Sequence, residues 1–310
     1  MNGAGQKIAA IFPGQGAQTV GMLGGLAQAY PSINERFSEA SDALGFDLWD
    51  MVQNGPSEVL GQTENTQPAL LAASVCLWDL WTEAGTKVSF MSGHSLGEYS
   101  ALVCAGAIGF TDGVKLVRRR GELMQAAVPN GQGSMAAVLG LDDDAIAQCC
   151  DQVDGVVSAA NFNAPGQVVI AGESAAVLAA IDACKAAGAK RAVPLDVSGP
   201  FHSELMRRAA DDFSQALADT TITMPKVPVY QNVHGAVAAS VEELEQLLLQ
   251  QLYSPVRWTA CVQGLLDHGV EQFVECGPGN VLAGLVKRIS RATPTLSLAN
   301  ADGVAAVNQL

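Results

Sequence analysis

The chain has 310 residues, 49% hydrophobic and 15% charged, with no low-complexity tract, enough to bury a sizeable core in one large domain or two modest ones. Its formal net charge of −14 argues against nucleic acid or an anionic membrane surface as partner, and no apolar run reaches bilayer-spanning length, Ala69 to Trp81 being broken by Ser74 and Asp79. No basic segment precedes an apolar stretch at the N-terminus, so a cytoplasmic protein is expected; the seven cysteines, without a C-x-x-C pair or metal-like spacing with histidine, predict neither a disulfide framework nor a metal site.

Lys7 to Phe12 reads as a strand, followed by the turn "PGQGAQ" and a helical stretch from about Met22. Thr19 stands where a dinucleotide loop has its third glycine, and Glu35 falls in a helical stretch, so the turn is not read as a nucleotide loop. Val88, Phe90 and Met91 predict a short buried strand, and Glu98 to Ala107 a helix. From Ser134 to Val197 the order is strand, helix, strand, strand, helix, strand: "MAAVLGL", "DDDAIAQCCDQV", "GVVSAAN", "QVVIAGE", "SAAVLAAIDACKAAG", "AKRAVPLDV". That is the ferredoxin-like arrangement, and it predicts an insert over residues 130–198 in a larger α/β core of residues 1–129 and 199–310. Beyond it, Ser203 to Ala218 reads as helix, "VPVYQNV" as strand, and Val241 to Leu252 as a helix closed before Pro255. A helix ending near His268, the strand "EQFVEC", the turn "GPGN", a helix through Ile289 and a last strand "TLSLA" complete the chain. Strands alternating with helices predict a mostly parallel sheet covered on both faces, with reactive groups at the carboxyl ends of its strands.

One such end carries Gly93-His94-Ser95-Leu96-Gly97. The pattern G-x-S-x-G between a strand and a helix is the nucleophile elbow, which holds a serine hydroxyl above the sheet. A serine nucleophile needs a base, and histidine is the usual one at neutral pH. His94 is expected to point the other way across the turn, in a structural role. His234 reads as a loop residue, and His268 as the complement of a helix dipole. His202, in "SGPFHSELM", lies in a loop just after the insert, and its position favours it as the base. Further along the helix after the elbow, Val114, Val117, Gly121, Met124 and Val128 recur in a 3-4-3-4 rhythm that marks a buried face. At ~100° per residue, Arg119 points away from that face, while Arg118 and Arg120 lie at its two borders and periodicity does not choose between them.

The motifs "FPGQGAQ", "GHSLGEYSAL", "RRRGELMQ", "NFNAPGQVVIAG", "FHSELM", "QLYSPVRW" and "CGPGNVLAGL", in this order, resemble the malonyl-CoA:acyl-carrier-protein transacylase family of fatty-acid synthesis over almost the whole chain. The resemblance implies an α/β-hydrolase-like core with a ferredoxin-like insert, and roles for individual residues. Ser95 would be the acylated nucleophile and His202 its base, oriented by the backbone carbonyl of Gln251 instead of an aspartate. The backbone N–H groups of Leu96 and Gln15 would form the oxyanion hole. Arg120 would bind the free carboxylate of the malonyl group, a task suited to a planar guanidinium. Asn161 and Asn163 would face the cleft, with turn-forming asparagines before Pro165 as the alternative. Phe201 resembles the bulky residue associated with malonyl over methylmalonyl choice.

The implied substrates are malonyl-CoA and the phosphopantetheine thiol of a holo acyl carrier protein, with no cofactor, and the family implies a monomer. An acidic carrier would need a local basic face; Lys190/Arg191 and Lys287/Arg288/Arg291 are the candidates. The rival readings are a serine thioesterase or esterase, a non-catalytic carrier-protein binder, and a trans-acting acyltransferase of polyketide assembly.

Overall fold

The computed structural model describes residues 6–83, 85, 87–129 and 131–307, so the domain boundary expected at residue 130 and the two chain ends lie outside the described residues. The strands are β1 (Ile8–Phe12), β2 (Phe90–Gly93), β3 (Gly133–Leu139), β4 (Val157–Ala164), β5 (Gln167–Glu173), β6 (Arg191–Pro194), β7 (Val229–Gln231), β8 (Ala236–Val237), β9 (Gln272–Glu275) and β10 (Thr295–Ser297).

They form two sheets. The larger has the order β10-β9-β1-β2-β7-β8. Its first five strands are parallel, as the strand–helix alternation predicts. The two-residue β8, which sequence patterning did not show, is an exposed antiparallel edge on β7. β1 lies at the centre and is apolar throughout, as a parallel strand covered on both faces requires. Ile8, Ala10 and Phe12 join the main core, while Ala9 and Ile11 join a second cluster around Trp258 and Phe273 on the opposite face. The helix Thr63–Thr82 runs through the main core with 16 of its 20 residues buried. Among the described residues no helix is long and apolar enough to cross a membrane.

The smaller sheet is antiparallel, with the order β4-β5-β3-β6. The helices Asp143–Asp151 and Ser174–Ala186 complete the predicted strand and helix order. Its side chains alternate as a two-faced sheet demands: Val168 and Ile170 join a separate cluster with those helices, while Val169 and Ala171 join the main core. The sheet is stitched to the chain ahead of the helix Trp258–Asp267, because Val256 N–H donates to Ala160 O and Phe162 N–H donates to Val256 O, each at 2.9 Å. The helix predicted from Ser203 opens as a 3-10 turn, Glu204–Met206, before the α-helix Arg207–Ala218. Residues just past the carboxyl ends of β1 and β2 (Gln15, Ser95) and residues of β4 and β5 (Asn161, Val169) line one cavity.

Candidate active site

Ser95 stands between β2 and the helix Leu96–Cys104 with φ 52° and ψ −110°, a region costly for a residue with a Cβ. The elbow is as tight as its glycines imply. A Cβ on Gly93 would lie 1.9 Å from the Gly97 backbone, and one on Gly97 would lie 2.0 Å from Phe12 O. The first turn comes equally close, since a Cβ on Gly14 would lie 2.4 Å from His94 O.

The strained turn is held by a side chain that sequence reading did not single out. Asn232 Oδ1 accepts from Ser95 N–H at 2.7 Å, and its Nδ2 donates to Gly93 O at 2.7 Å. Asn232 is fixed in turn by its own N–H, which donates to Glu98 Oε2 at 2.6 Å. Glu98 is fully buried, and burial pushes its carboxyl up to about 8 against the opposing pull of the Asn232 N–H. Its pKa is thus above the ordinary 4.5 expected in the unfolded chain, so its proton stabilises the fold, and that contribution is lost as pH rises from about 4.5 toward about 8. Glu98→Gln keeps the acceptor for Asn232 and removes the titration. Its Tm relative to wild type is expected to rise across that pH range, by on the order of 5 °C in all; a difference constant with pH in thermal melts would contradict this reading.

His202, 107 residues from Ser95, meets it at 2.7 Å between Nε2 and Oγ. The Nδ1 of His202 lies 2.7 Å from Gln251 O. A carbonyl only accepts, so Nδ1 carries the proton and Nε2 presents its lone pair to the serine hydroxyl. Gln251 is the last residue of the helix Val241–Gln251, where carbonyls lack intrahelical partners and carry the negative end of the helix dipole. Burial first, and then the charge of Arg120, push His202 down to about 3, against the opposing effect of the Gln251 carbonyl. The imidazole is therefore neutral at physiological pH, in the form that accepts a proton.

The choice between Arg118 and Arg120 falls to packing. Pro68 lies within the helix Thr63–Thr82 and has no N–H for the carbonyl one turn back, that of Glu64. Arg118 Nη1 donates to this carbonyl at 3.1 Å, a structural role. Arg119 turns outward to pair with Glu122. Arg120, 1% exposed, reaches inward: Nη1 donates to Gln67 Oε1 at 2.8 Å and Nη2 to Gln251 Oε1 at 2.8 Å, while Nη2 lies 3.3 Å from Ser95 Oγ. The close approach of Gly121 to Glu64 lets the two helices come together here.

Ser95 and His202 open into a cavity of about 260 Å³, whose wall includes Gln15, Asn161, Asn163, Phe201 and Val281. Asn161 and Asn163 are strand residues of β4, set at two irregularities of its pairing with β5, and not turn formers. His94 also lines this cavity, contrary to the expectation that it points away. The alternation that would send it to the other face ends with β2 at Gly93, and the positive φ of Ser95 bends the next step. Its Nε2 instead lies 2.7 Å from Asn163 Oδ1, joining the elbow to the smaller sheet, and burial lowers its pKa. Among the described residues, no protein group accepts from the backbone N–H of Leu96 or Gln15, and no group of three or more His, Cys, Asp or Glu residues is arranged to hold a metal.

The arrangement offers a strained serine and a neutral histidine base that open into one small cavity, with a buried cation 3.3 Å from the serine hydroxyl. A family described as acyl transferase domain matches residues 10–303. The malonyl CoA-acyl carrier protein transacylase of Escherichia coli (strain K12) is 52% identical over 307 residues, covering 98% of this chain and 99% of the relative. The acyl carrier protein S-malonyltransferase from Vibrio cholerae O1 biovar eltor superposes with a TM-score of 0.94 at 51% identity, covering 97% of this chain and 100% of that one. A malonyl-transacylase solved in complex with its type II PKS acyl-carrier protein in the holo form superposes with a TM-score of 0.96 at 50% identity, covering 98% of this chain and 99% of the other. With such likeness along nearly its full length, the chain belongs to the acyl transferase domain family and, within it, to the malonyl CoA-acyl carrier protein transacylases.

Proposed function

We propose that this protein transfers the malonyl group of malonyl-CoA to the phosphopantetheine thiol of holo acyl carrier protein, supplying fatty-acid chain elongation. The carrying observation is that one hydroxyl, Ser95 Oγ, lies 2.7 Å from the His202 base and 3.3 Å from the Arg120 cation. His202 Nε2 takes the Ser95 proton as Oγ attacks the malonyl thioester carbon. The Leu96 and Gln15 N–H groups stabilise the oxyanion, one at the start of a helix and one in the first turn. Collapse of the intermediate breaks the C–S bond, His202 returns the proton to the departing CoA sulfur, and malonyl-Ser95 remains. The carrier thiol then repeats the sequence in reverse sense, giving its proton to His202 and regenerating Ser95. Thioester is exchanged for thioester, so the reaction needs no metal, cofactor or energy source.

Arg120 pairs with the free malonyl carboxylate, which separates this reading from a hydrolase that would share the elbow. Asn161, Asn163 and Phe201 shape the acyl end of the cavity, and the bulk of Phe201 favours malonyl over methylmalonyl. The carrier docks on an exposed basic face, for which there are two candidates. Lys287 and Arg288 lie on the helix Val281–Ile289, whose Val281 and Leu285 line the cavity; Lys190 and Arg191 lie at the edge of the smaller sheet. We further infer an α/β-hydrolase-like core of residues 1–129 and 199–310 with a ferredoxin-like insert at 130–198, and a cytoplasmic location. The element order of the smaller sheet and its separate apolar cluster support the insert.

Intact-protein mass after mixing with malonyl-CoA, and then with holo carrier protein, tests the proposal. A malonyl adduct that forms on wild type but not on Ser95→Ala, and that moves to the carrier, is the expected result. An adduct lost as free malonate with the carrier unmodified would make the protein a thioesterase.

A further inference from the structure

Arg120 is buried with its charge uncancelled. The acceptors of its guanidinium among the described residues are neutral: the amide oxygens of Gln67 and Gln251 at 2.8 Å each, and Ser95 Oγ at 3.3 Å. Among the described residues its Nε has no partner, and the face of the Tyr99 ring lies 5.1 Å from its central carbon. A buried guanidinium is ordinarily paired with a carboxylate, because desolvating an unpaired charge is costly. Here the protein places an amide where a carboxylate of the same shape would fit. Gln67, itself 1% exposed, contributes from the helix Thr63–Thr82, and its Nε2 is directed at Met124 Sδ at 3.8 Å.

Resting on the malonyl-transfer reading above, we propose that Gln67, together with the side chain of Gln251, is a specificity-determining clamp. It fixes the orientation of the Arg120 fork through neutral dipoles and leaves the full positive charge for the free carboxylate of the acyl group. Glu98, whose charge would oppose that of Arg120, is consistent with this: burial raises its pKa to about 8, so at neutral pH it is mostly protonated and does not neutralise the arginine. The Gln251 amide also donates from Nε2 to Ser95 O at 3.2 Å, which ties the clamp to the elbow. The selection of a dicarboxylic acyl group thus rests on two uncharged residues as much as on the arginine. A carboxylate at position 67 would occupy the fork from within and present a like charge to the substrate.

The test is Gln67→Glu, a change of one amide nitrogen to oxygen, with Ser95 acylation rates measured for malonyl-CoA and acetyl-CoA by intact mass. The ratio of malonyl to acetyl kcat/KM is expected to fall by about 100-fold, since like-charge juxtaposition at a desolvated site is strongly unfavourable, while acetyl transfer falls less than about tenfold. An unchanged ratio, or equal losses on both substrates, would overturn the clamp and leave Gln67 a packing residue. Gln67→Met, close in length and without an amide oxygen, guards against a misfolded Gln67→Glu. Its expected effect is a raised KM for malonyl-CoA with kcat nearly kept and acetyl transfer little changed; an unmoved KM would equally overturn the proposal. A wild-type protein that takes no malonyl group refutes the underlying reading, whereas a wild type that is malonylated beside a Gln67→Glu variant of unchanged ratio refutes the clamp alone.

Discussion

Replacing His202 by alanine is expected to slow acylation of Ser95 by ~10³–10⁴-fold, with malonyl-CoA and acetyl-CoA alike, while the fold is retained. Among the described residues the serine hydroxyl has one base at hydrogen-bond distance, His202 Nε2 at 2.7 Å, and without it the proton must leave to water. Arg120, the other group near Oγ, carries only donors and cannot take that proton. Rapid-quench measurement of CoA release reads the effect directly; a loss of less than tenfold would remove His202 from the role of base. The same assignment fixes the pH dependence. A pKa pushed down to about 3 keeps the base neutral far below the usual histidine range. The acid limb of kcat/KM for the free enzyme is therefore expected well under pH 6.5, with a level rate between about pH 5 and 8. A limb centred near pH 6.5 would show that His202 is more hydrated than its surroundings suggest.

Arg120→Ala is expected to cost ~2–5 kcal/mol in kcat/KM with malonyl-CoA, as when a buried charge pair loses one partner, and far less with acetyl-CoA, which has no free carboxylate. Equal losses on both substrates would refute the carboxylate anchor. The arginine acts on the base as well, because its charge is the second cause of the depressed His202 pKa. Removing it raises that pKa, so the acid limb of the residual acetyl activity is expected to move to higher pH in Arg120→Ala. On the proposed reading, malonyl binding would act in the same direction in the wild type, because a substrate carboxylate paired with Arg120 would cancel its charge and strengthen the base.

How much of this was legible in the chain follows from how far each signal reaches. The elbow could be read because it is local: a strand, two glycines around a serine and a helix decide its geometry within about ten residues, and the backbone contacts at Gly93 and Gly97 bear that out. The order of elements in the smaller sheet and the parallel character of the larger were legible for the same reason, since apolar periodicity and turn residues act over short spans. The two-residue β8 has too few residues to carry a period, and it was missed.

The site itself was assembled across distances that periodicity does not span. Ser95 and His202 are 107 residues apart, and Arg120 and Gln67 are 53 apart. Arg118 and Arg120 have equal standing on a helical wheel. The missing N–H of Pro68 occupies one of them, and the space at the elbow receives the other. The Gln251 carbonyl has no side-chain signature, because any residue ending that helix would present one; family resemblance named it, and the 2.7 Å contact with His202 Nδ1 supplies its geometry. His94 was expected to point the other way across the turn; it lines the cavity instead, because the positive φ of Ser95 sets the geometry of the turn. By itself, then, the sequence determined the elbow, the layering and the chemical inventory, which depend on residues near one another in the chain. Tertiary packing decided which inventory members meet, because desolvation and hydrogen-bond geometry depend on neighbours in space, and those neighbours come from turns and helices far apart along the backbone.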